Sequence, residues 1–435
     1  MNSSADLVAA GVDQTTVGTQ ERHEADSAKT RHVVFVHQTY STANSEGSGR
    51  ANAIAEAMVR AGYRVSIVAG ANSYLTGNIE QKYRRRWLVT EQCDGYTIYR
   101  PWTYSRLHQS FLHRAVYFFV YMFTSGWTLL RIPAFDIIVG CSPPITVAVA
   151  AYAASSIRRA AFILEVRDLW PAFPIEMGII RNRLVIACSK FVERLLYRKA
   201  RLVVINSPGF QSHLVAHGVT GSRLKLIPNG VDTTVFRPSP ADPDLRRRLA
   251  LDGKFVVLYI GAHGPANALN TLLDAAASLR DEPVVQIVLI GDGKQKPALQ
   301  ARAGRENLDN ITFLPPQPKG EIPRYVAIAD ICYASLQNIP MFTTTYPNKV
   351  FDYLACGKAT LTTIDGVSRE VLEQAGAGIY VPHDGSHVAD RIRWAMNNRT
   401  ELDRMGARAR AAAVRDWDRD RFAGEFALLV DQVSV

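Results

Sequence analysis

The chain has 435 residues, 47% of them hydrophobic, with 50 Lys and Arg against 40 Asp and Glu. A domain takes about 150 residues, so there is room for two or three with sizeable cores, which excludes one small module and a wholly disordered chain. Five cysteines, at 93, 141, 188, 332 and 356, form no C-x-x-C pair; a disulfide scaffold and a zinc ribbon are excluded, and a reducing compartment fits.

Residues 1–30 carry 2 basic and 5 acidic groups. They lack the basic start and apolar stretch of a secretory signal, and read as a disordered leader of a cytoplasmic protein. From Arg31 on, short β-branched runs alternate with amphipathic stretches, the pattern of parallel sheets covered by helices on both faces. Strands are expected over 32–37, 64–69, 136–139, 161–166, 201–206 and 223–227, and helices near 50–61, 145–155 and 183–199. The stretch RPSPADPD after Phe236 breaks the composition and reads as a linker. Beyond it the alternation restarts, with strands at 255–260, 284–290, 311–313, 331–334, 359–362 and 378–381. Helices are expected near 268–279, 296–303, 347–356 and 368–374. The fold class is therefore α/β, with two doubly wound, Rossmann-like domains, 31–235 and 236–415, facing each other across a ligand-binding cleft.

The positive charge is lopsided. Residues 31–235 carry 24 basic and 11 acidic groups, residues 236–435 carry 24 of each. No acid occurs from Gly95 to Phe135, where Arg100, Arg106, Arg114 and Arg131 stand beside the cluster Lys82, Arg84, Arg85, Arg86 and Trp87. Such a surface attracts an anion: phospholipid, a phosphorylated ligand or nucleic acid, although no nucleic-acid-binding module is recognisable. The uncharged run 115–130 is shorter than the roughly 20 apolar residues that cross a bilayer. It reads as a buried helix or as one lying in the membrane interface.

After the first strand, Glu46-Gly47-Ser48-Gly49-Arg50 leads into a helix. Glycines admit a ligand close to the backbone and a helix start favours anions, so this is either a tight turn or a loop facing phosphate or sugar. Its spacing is not G-x-G-x-x-G, and no acid ends the second strand to hold a ribose, which disfavours a dinucleotide. In the second half, Ile290-Gly291-Asp292-Gly293 ends a strand and offers amides to a base or phosphate. The most informative stretch runs from Thr343 to Lys358, TTTYPNKVFDYLACGK. Thr345 or Tyr346 is placed to cap a helix with Pro347 in its first turn and Lys349 beside it, the outline of a diphosphate site. Asp352, at i+3 from Lys349, is either a ribose acceptor or one half of an exposed helix pair. Asp242-Pro243-Asp244 and Asp416-Trp417-Asp418 look like D-x-D metal motifs but fall in the linker and at a terminal helix; no metal is expected. Ser207-Pro208-Gly209 reads as a helix cap.

Over residues 31–435 the sequence resembles the GT-B glycosyltransferases of family 4, and within them the bacterial enzymes that build O-antigen, capsule and exopolysaccharide units. The resemblance rests on Ile227-Pro228-Asn229-Gly230-Val231-Asp232 followed by Phe236, on Gly291-Asp292-Gly293, and on P-x-K-x-x-[ED]-Y-x-A-x-G-K from Pro347 to Lys358. Asp416-Trp417-Asp418 looks like the family's closing segment, so that 416–435 would cross back onto the first domain. Glu165-Val166-Arg167-Asp168-Leu169-Trp170-Pro171 is similar to the amino-sugar transferases of O-antigen assembly.

The resemblance implies metal-independent transfer of a sugar from a nucleotide-sugar donor held by the second domain, usually with retention, to an acceptor held by the first. A membrane lipid-linked, polyprenyl-diphosphate glycan is the expected acceptor, and the inner leaflet of the cell membrane the expected location. Asp352 corresponds to the ribose-binding acid, Lys349 lies beside the diphosphate, and Gly47, Ser48 and Gly49 form the loop closing over it. Two departures stand out. The family's Glu, seven residues, Glu pattern has Thr344 in its first position, and the segment Gly261 to Asn267 lacks the Arg and Lys that many members carry there. Leaving-group stabilisation then falls to Lys349, the helix amides and His263 or Arg50. Candidate catalytic groups are Glu46, Asp168 and Lys349; Asp168 contacts sugar or acceptor, or pairs with Arg167. Donor contacts are expected from His263, Gly291, Gly293, Thr344, Thr345 and Asn348 as well. Acceptor or membrane contacts are expected from Arg84, Arg85, Arg86, Trp87, Trp102, Arg106 and Arg114. A nucleotide-sugar epimerase and a degenerate membrane-docking subunit of the same fold are the alternatives.

Overall fold

The run His32–His37 is buried at every position, as a central strand covered on both faces requires. In the computed structural model, which describes residues 30–40, 49–72, 78–105 and 111–433, this run is β1 of an eight-stranded sheet. Its partners are β2 (Arg64–Ala69), β3 (Leu88–Cys93), β4 (Tyr96–Pro101), β5 (Ile137–Ser142), β6 (Ala161–Val166), β7 (Leu202–Ile205) and β8 (Leu224–Leu226). The order is β3-β4-β2-β1-β5-β6-β7-β8, parallel except for the β3–β4 hairpin. The second sheet holds β9 (Phe255–Ile260), β10 (Val285–Ile290), β11 (Ile311–Leu314), β12 (Ile331–Ala334), β13 (Thr360–Thr362) and β14 (Gly378–Tyr380). Its order is β11-β10-β9-β12-β13-β14, parallel throughout. Strand order reverses beside β1 in one sheet and beside β9 in the other, and ligands of doubly wound sheets bind at such switch points.

Helices Arg50–Arg60 and Arg419–Asp431 cover one face of the first sheet, packing Ile54 and Met58 against Phe422, Phe426 and Val430. Burying each large apolar side chain contributes about 1.5–3 kcal/mol, so the closing helix is anchored firmly on the first sheet although it follows the second in sequence. Its start is tied by Val231, whose N–H donates to Trp417 O at 2.8 Å and whose carbonyl accepts from Arg419 N at 3.0 Å. Helices Phe111–Leu129, Ile145–Arg158 and Arg183–Lys199 cover the opposite face through Tyr121, Val147, Ala151 and Leu196. The carboxyl ends of the two sheets meet: after β7, Ser207 Oγ donates to Thr344 O at 2.6 Å, and Phe173 lies 5.7 Å from Phe342. Nearby, Asn229 Nδ2 donates to Asn348 Oδ1 at 2.9 Å.

The expected α/β class and two parallel sheets are present, with expected strands displaced by no more than three residues at an end. The β3–β4 hairpin is an addition. β3 reads LVTEQC and is half-buried or exposed along its whole length, so an edge strand gives no apolar run to detect. Its signal is the turn Asp94-Gly95, where Gly95 sits at φ 85. Ser207 stands at the N-cap of the 3-10 turn Pro208–Phe210, as expected, but its hydroxyl makes no capping bond and crosses to Thr344 O instead. The expected leader, residues 1–30, lies outside the described residues except for Thr30.

Candidate active site

After β12 the chain makes a 3-10 turn, Pro340–Thr344, and starts the helix Asn348–Ala355. Pro347 is its N-cap, without a side-chain cap. The capping expected of Thr345 or Tyr346 is not made: Thr345 Oγ1 donates to Phe342 O at 3.0 Å, and a proline directly before the helix carries no capping oxygen. Of the first-turn amides, that of Val350 donates to Pro347 O at 3.1 Å, and no side chain caps the others. Thr344 directs its own hydroxyl to Met341 O at 2.7 Å, and Gly209 packs on its backbone so tightly that a Cβ there would lie 2.5 Å from Thr344 Cα.

Lys349 and Asp352 do not form the exposed helix pair that their spacing allows. Lys349 turns toward β9, where Nζ donates to Tyr259 Oη at 2.8 Å and Asn267 Oδ1 at 3.3 Å and sits 4.0 Å from the Tyr259 ring centre. None of these partners is an anion, and burial pushes the ammonium down to about 7. The Asp352 carboxylate accepts no hydrogen bond from a described residue; burial pushes it up to about 6, opposed by the charges of Lys319 and Arg419. A half-buried cation and a half-buried acid, three residues apart, thus do not pair with each other, and each is held away from its charged form by burial.

The glycines of the second sheet have a packing role. A Cβ on Gly291 would lie 1.9 Å from Gly261 O, and one on Gly293 would lie 2.5 Å from His263 O; both glycines adopt positive φ. The loops after β9 and β10 thus press backbone against backbone. His263 is fully buried between them with neither ring nitrogen partnered. Burial, reinforced by Lys296 and Lys349, pushes it down to about 4, so His263 is neutral at pH 7 and brings no positive charge to a leaving group.

Across the cleft, Arg50 opens the first helix and donates from Nε to Glu165 Oε1 at 2.7 Å and from Nη1 to Pro228 O at 2.5 Å. Both side chains of the pair are at most 6% exposed. Burial opposes ionisation of Glu165, but Arg50 and Arg167 outweigh it and hold the carboxyl down at about 2. Arg167 Nη1 lies 2.7 Å from His37 Nε2, and no ion pair joins Arg167 to Asp168. Asp168 presents accessible surface on the cleft wall; the protein around it pushes its carboxyl up to about 6, opposed by Arg167. At the junction, Arg419 is nine-tenths buried and its Nε has no partner, with Asp352 and Asp232 as its nearest balancing charges.

Residues 45–230 match the family "Glycosyl transferase 4-like domain" and residues 242–412 match "Glycosyl transferases group 1". The two follow one another along the chain and divide between the two sheets. The chain belongs to the GT-B glycosyltransferases of family 4. It is 23% identical over 312 residues to an Escherichia coli protein assigned to colanic acid biosynthesis as the glycosyl transferase WcaI, covering 70% of this chain and 76% of the relative. It is 28% identical over 234 residues to a D-inositol 3-phosphate glycosyltransferase of Nocardia farcinica, covering 51% of each chain. Among solved structures, Anabaena Alr3699/HepE in complex with UDP-glucose superposes with a TM-score of 0.69 at 19% identity, over 92% of this chain and all of that one.

Several expected residues of this glycosyltransferase fall elsewhere. Glu46, Gly47, Ser48 and Arg106 lie outside the described residues; Gly49 directly precedes the Arg50–Arg60 helix. Arg84, Arg85, Arg86 and Trp87 are exposed, Trp87 lies 5.8 Å from Trp102, and Arg114 is half-buried. Arg100 is not surface charge: it is 5% exposed and binds Glu91, Tyr40 O and Gly70 O, because the missed hairpin pairs Arg100 with Val89 and brings Glu91, two residues on, diagonally beside it. Both D-x-D segments are accounted for by local structure. Asp242 caps the Pro243–Arg248 helix and pairs with Arg324, while Asp418 caps the Arg419–Asp431 helix and Asp416 pairs with Arg415. Sequence reasoning assigned no role to Tyr259 and Asn267, which bind Lys349, or to Lys319 and Arg419, whose charges act on Asp352. Arg419 had a nearby signal, directly after Asp416-Trp417-Asp418, and Asn267 ends the segment Gly261 to Asn267 already noted for its missing cations.

Proposed function

We propose that this glycosyltransferase moves a sugar from a nucleoside-diphosphate sugar, a uridine diphosphate sugar first among them, to a polyprenyl-diphosphate-linked glycan at the inner face of the cell membrane, with retention and without a metal. The observation that carries the donor side is the Lys349–Asp352 arrangement at an uncapped helix start. Asp352 accepts the ribose hydroxyls, while Lys349 and the first-turn amides take the diphosphate. The acceptor oxygen bonds to the anomeric carbon as the bond from that carbon to the phosphate oxygen breaks, and the hydroxyl proton leaves with the diphosphate. Asp168, across the cleft, contacts the sugar or acceptor. The WcaI and HepE likenesses support a surface polysaccharide role and a uridine nucleotide respectively.

The test is incubation with a panel of nucleotide sugars and a lipid-diphosphate sugar, followed by mass spectrometry and anomeric coupling constants. One donor is expected to add one glycosyl unit with its configuration kept, and EDTA is expected to leave the rate unchanged. Conversion of the donor to an isomer without transfer would show an epimerase instead.

The location has its own expected result. No described helix is long and apolar enough to cross a membrane, so attachment rests on surface groups. Each Lys or Arg near an anionic leaflet contributes about 1 kcal/mol. Reversing Arg84, Arg85 and Arg86 to Glu is expected to weaken sedimentation with anionic liposomes by about 100-fold or more, and raised salt to weaken the wild type in the same direction. Unchanged sedimentation of the triple variant would make this cluster an ordinary solvated face.

A further inference from the structure

The helix Phe111–Leu129 is turned inside out. Leu112, Val116, Phe119, Phe123 and Trp127, with Leu130 just past its end, recur at spacings of three and four and are all exposed, from 39% to 70%. The face it buries holds Tyr117, Tyr121, Ser125 and Thr128. Its orientation is fixed: Tyr121 Oη donates to Val68 O at 2.8 Å, under the sheet, so the helix cannot roll to hide its phenylalanines. A stripe of 19 residues at 1.5 Å each is about 28 Å of continuous apolar surface, more than isolated exposed residues on a soluble protein explain.

The neighbouring helices extend it. Ile145–Arg158 packs beside this helix and Arg183–Lys199 beside that one; they add exposed Ile157, Leu184, Val185 and Phe191. In all three helices the only acid is Glu193, 3% exposed and bound by Tyr197 and His213. Their outward cations are Arg159, Arg183, Lys190, Arg194, Arg198 and Lys199, and the Arg131 guanidinium lies 3.8 Å from the Trp127 ring centre. Where the second and third helices end, Arg159, Lys199 and Arg201 line a pocket with Ser155 and Ser156, a place for a lipid phosphate.

We propose that the outward face of this three-helix layer docks on an anionic lipid bilayer, the apolar stripe lying at headgroup depth and the flanking cations on phosphates. The proposal deepens the lipid-linked acceptor reading above and rests on it. A second copy of the chain does not fit: bringing this face against itself opposes cation to cation with no exposed acid to pair them. Nucleic acid fits less well: Phe119, Phe123, Trp127 and Phe191 offer stacking surface, but Leu112, Val116, Leu130, Ile157, Leu184 and Val185 between and beside them are aliphatic and offer bases none.

The test uses full-length protein and acceptor-free phosphatidylglycerol–phosphatidylcholine vesicles. Phe119→Asp with Phe123→Asp, both outward, is expected to lower the vesicle partition coefficient at least about tenfold, with the melting temperature kept. Arg194→Glu with Arg198→Glu is expected to lower it also, and only where phosphatidylglycerol is present. Transfer to a short-chain soluble acceptor, which reports the enzymatic reading alone, stays at the wild-type rate in both variants. Wild-type vesicle binding by the Phe119/Phe123 variant overturns the proposal. So does light scattering that shows a wild-type dimer broken into monomers by the same substitutions, for then the face is a contact between copies.

Discussion

Lys349→Ala is expected to lower nucleotide-sugar turnover about 10-fold to 100-fold, because a charge-assisted hydrogen bond to the diphosphate contributes roughly 1.5–3 kcal/mol. The same range holds for Asp352→Ala on the ribose side. The pH dependence separates the two residues. In the free enzyme burial holds Lys349 down at about 7, so above that pH it is largely uncharged and must take up a proton to meet the donor. Donor affinity therefore falls as pH rises past about 7, by up to about tenfold per unit. Asp352, pushed up to about 6 by burial, loses its charge as pH falls through that value, and the ribose loses its acceptor. Calorimetric titration of donor against pH is expected to give a narrow maximum between the two flanks. The alkaline flank should vanish in Lys349→Ala and the acidic flank in Asp352→Ala. Wild-type kinetics in both variants would remove the donor site from this helix start.

Arg50→Ala is expected to lower the unfolding free energy by about 3–5 kcal/mol, the usual cost of leaving one partner of a buried ion pair unneutralised. Glu165 is 4% exposed and is kept ionised chiefly by Arg50, with Arg167 in support; Cys141 Sγ donates to it at 3.0 Å. Arg50 also ties the start of its helix to Pro228 O, in the segment that leads from the first sheet to the second. The loss should therefore appear as a lower denaturant midpoint and a slacker junction. Replacing both partners, Arg50→Met with Glu165→Leu, is expected to recover much of the stability, since the buried charge is removed rather than stranded. If Arg50→Ala unfolds at the wild-type denaturant concentration, the pair contributes nothing and Arg50 is held for a ligand alone.

The strands that stand in the middle of each sheet were legible in the sequence. HVVFVH, AFILEV and FVVLYI are continuous β-branched or apolar runs because both of their faces are buried, and their limits in the structure are the expected ones. The Pro347 to Lys358 block was legible for the same kind of local reason. A proline at a helix start, a lysine and an acid three residues on define a possible anion and hydroxyl site without any knowledge of neighbours.

Tertiary structure alone removed one of the two readings of that block, the exposed pair. Spacing permits Lys349 and Asp352 to pair on the helix surface; the approach of β9 offers Tyr259 and Asn267 to the lysine instead, and that contact spans 90 residues of sequence. His263 looked like a cation at the cleft because its residue type titrates near neutral pH, yet full burial between two glycine loops makes it neutral. The run 115–130 allowed a buried helix or an interfacial one; the fold buries Tyr117, Tyr121, Ser125 and Thr128 and leaves Val116, Phe119, Phe123 and Trp127 exposed. Composition counts apolar residues but does not say which of them the sheet covers. Sequence fixes periodicity, charge and propensity, which are local quantities; partner identity, burial and hence ionisation depend on which distant segments the fold brings within a few ångströms.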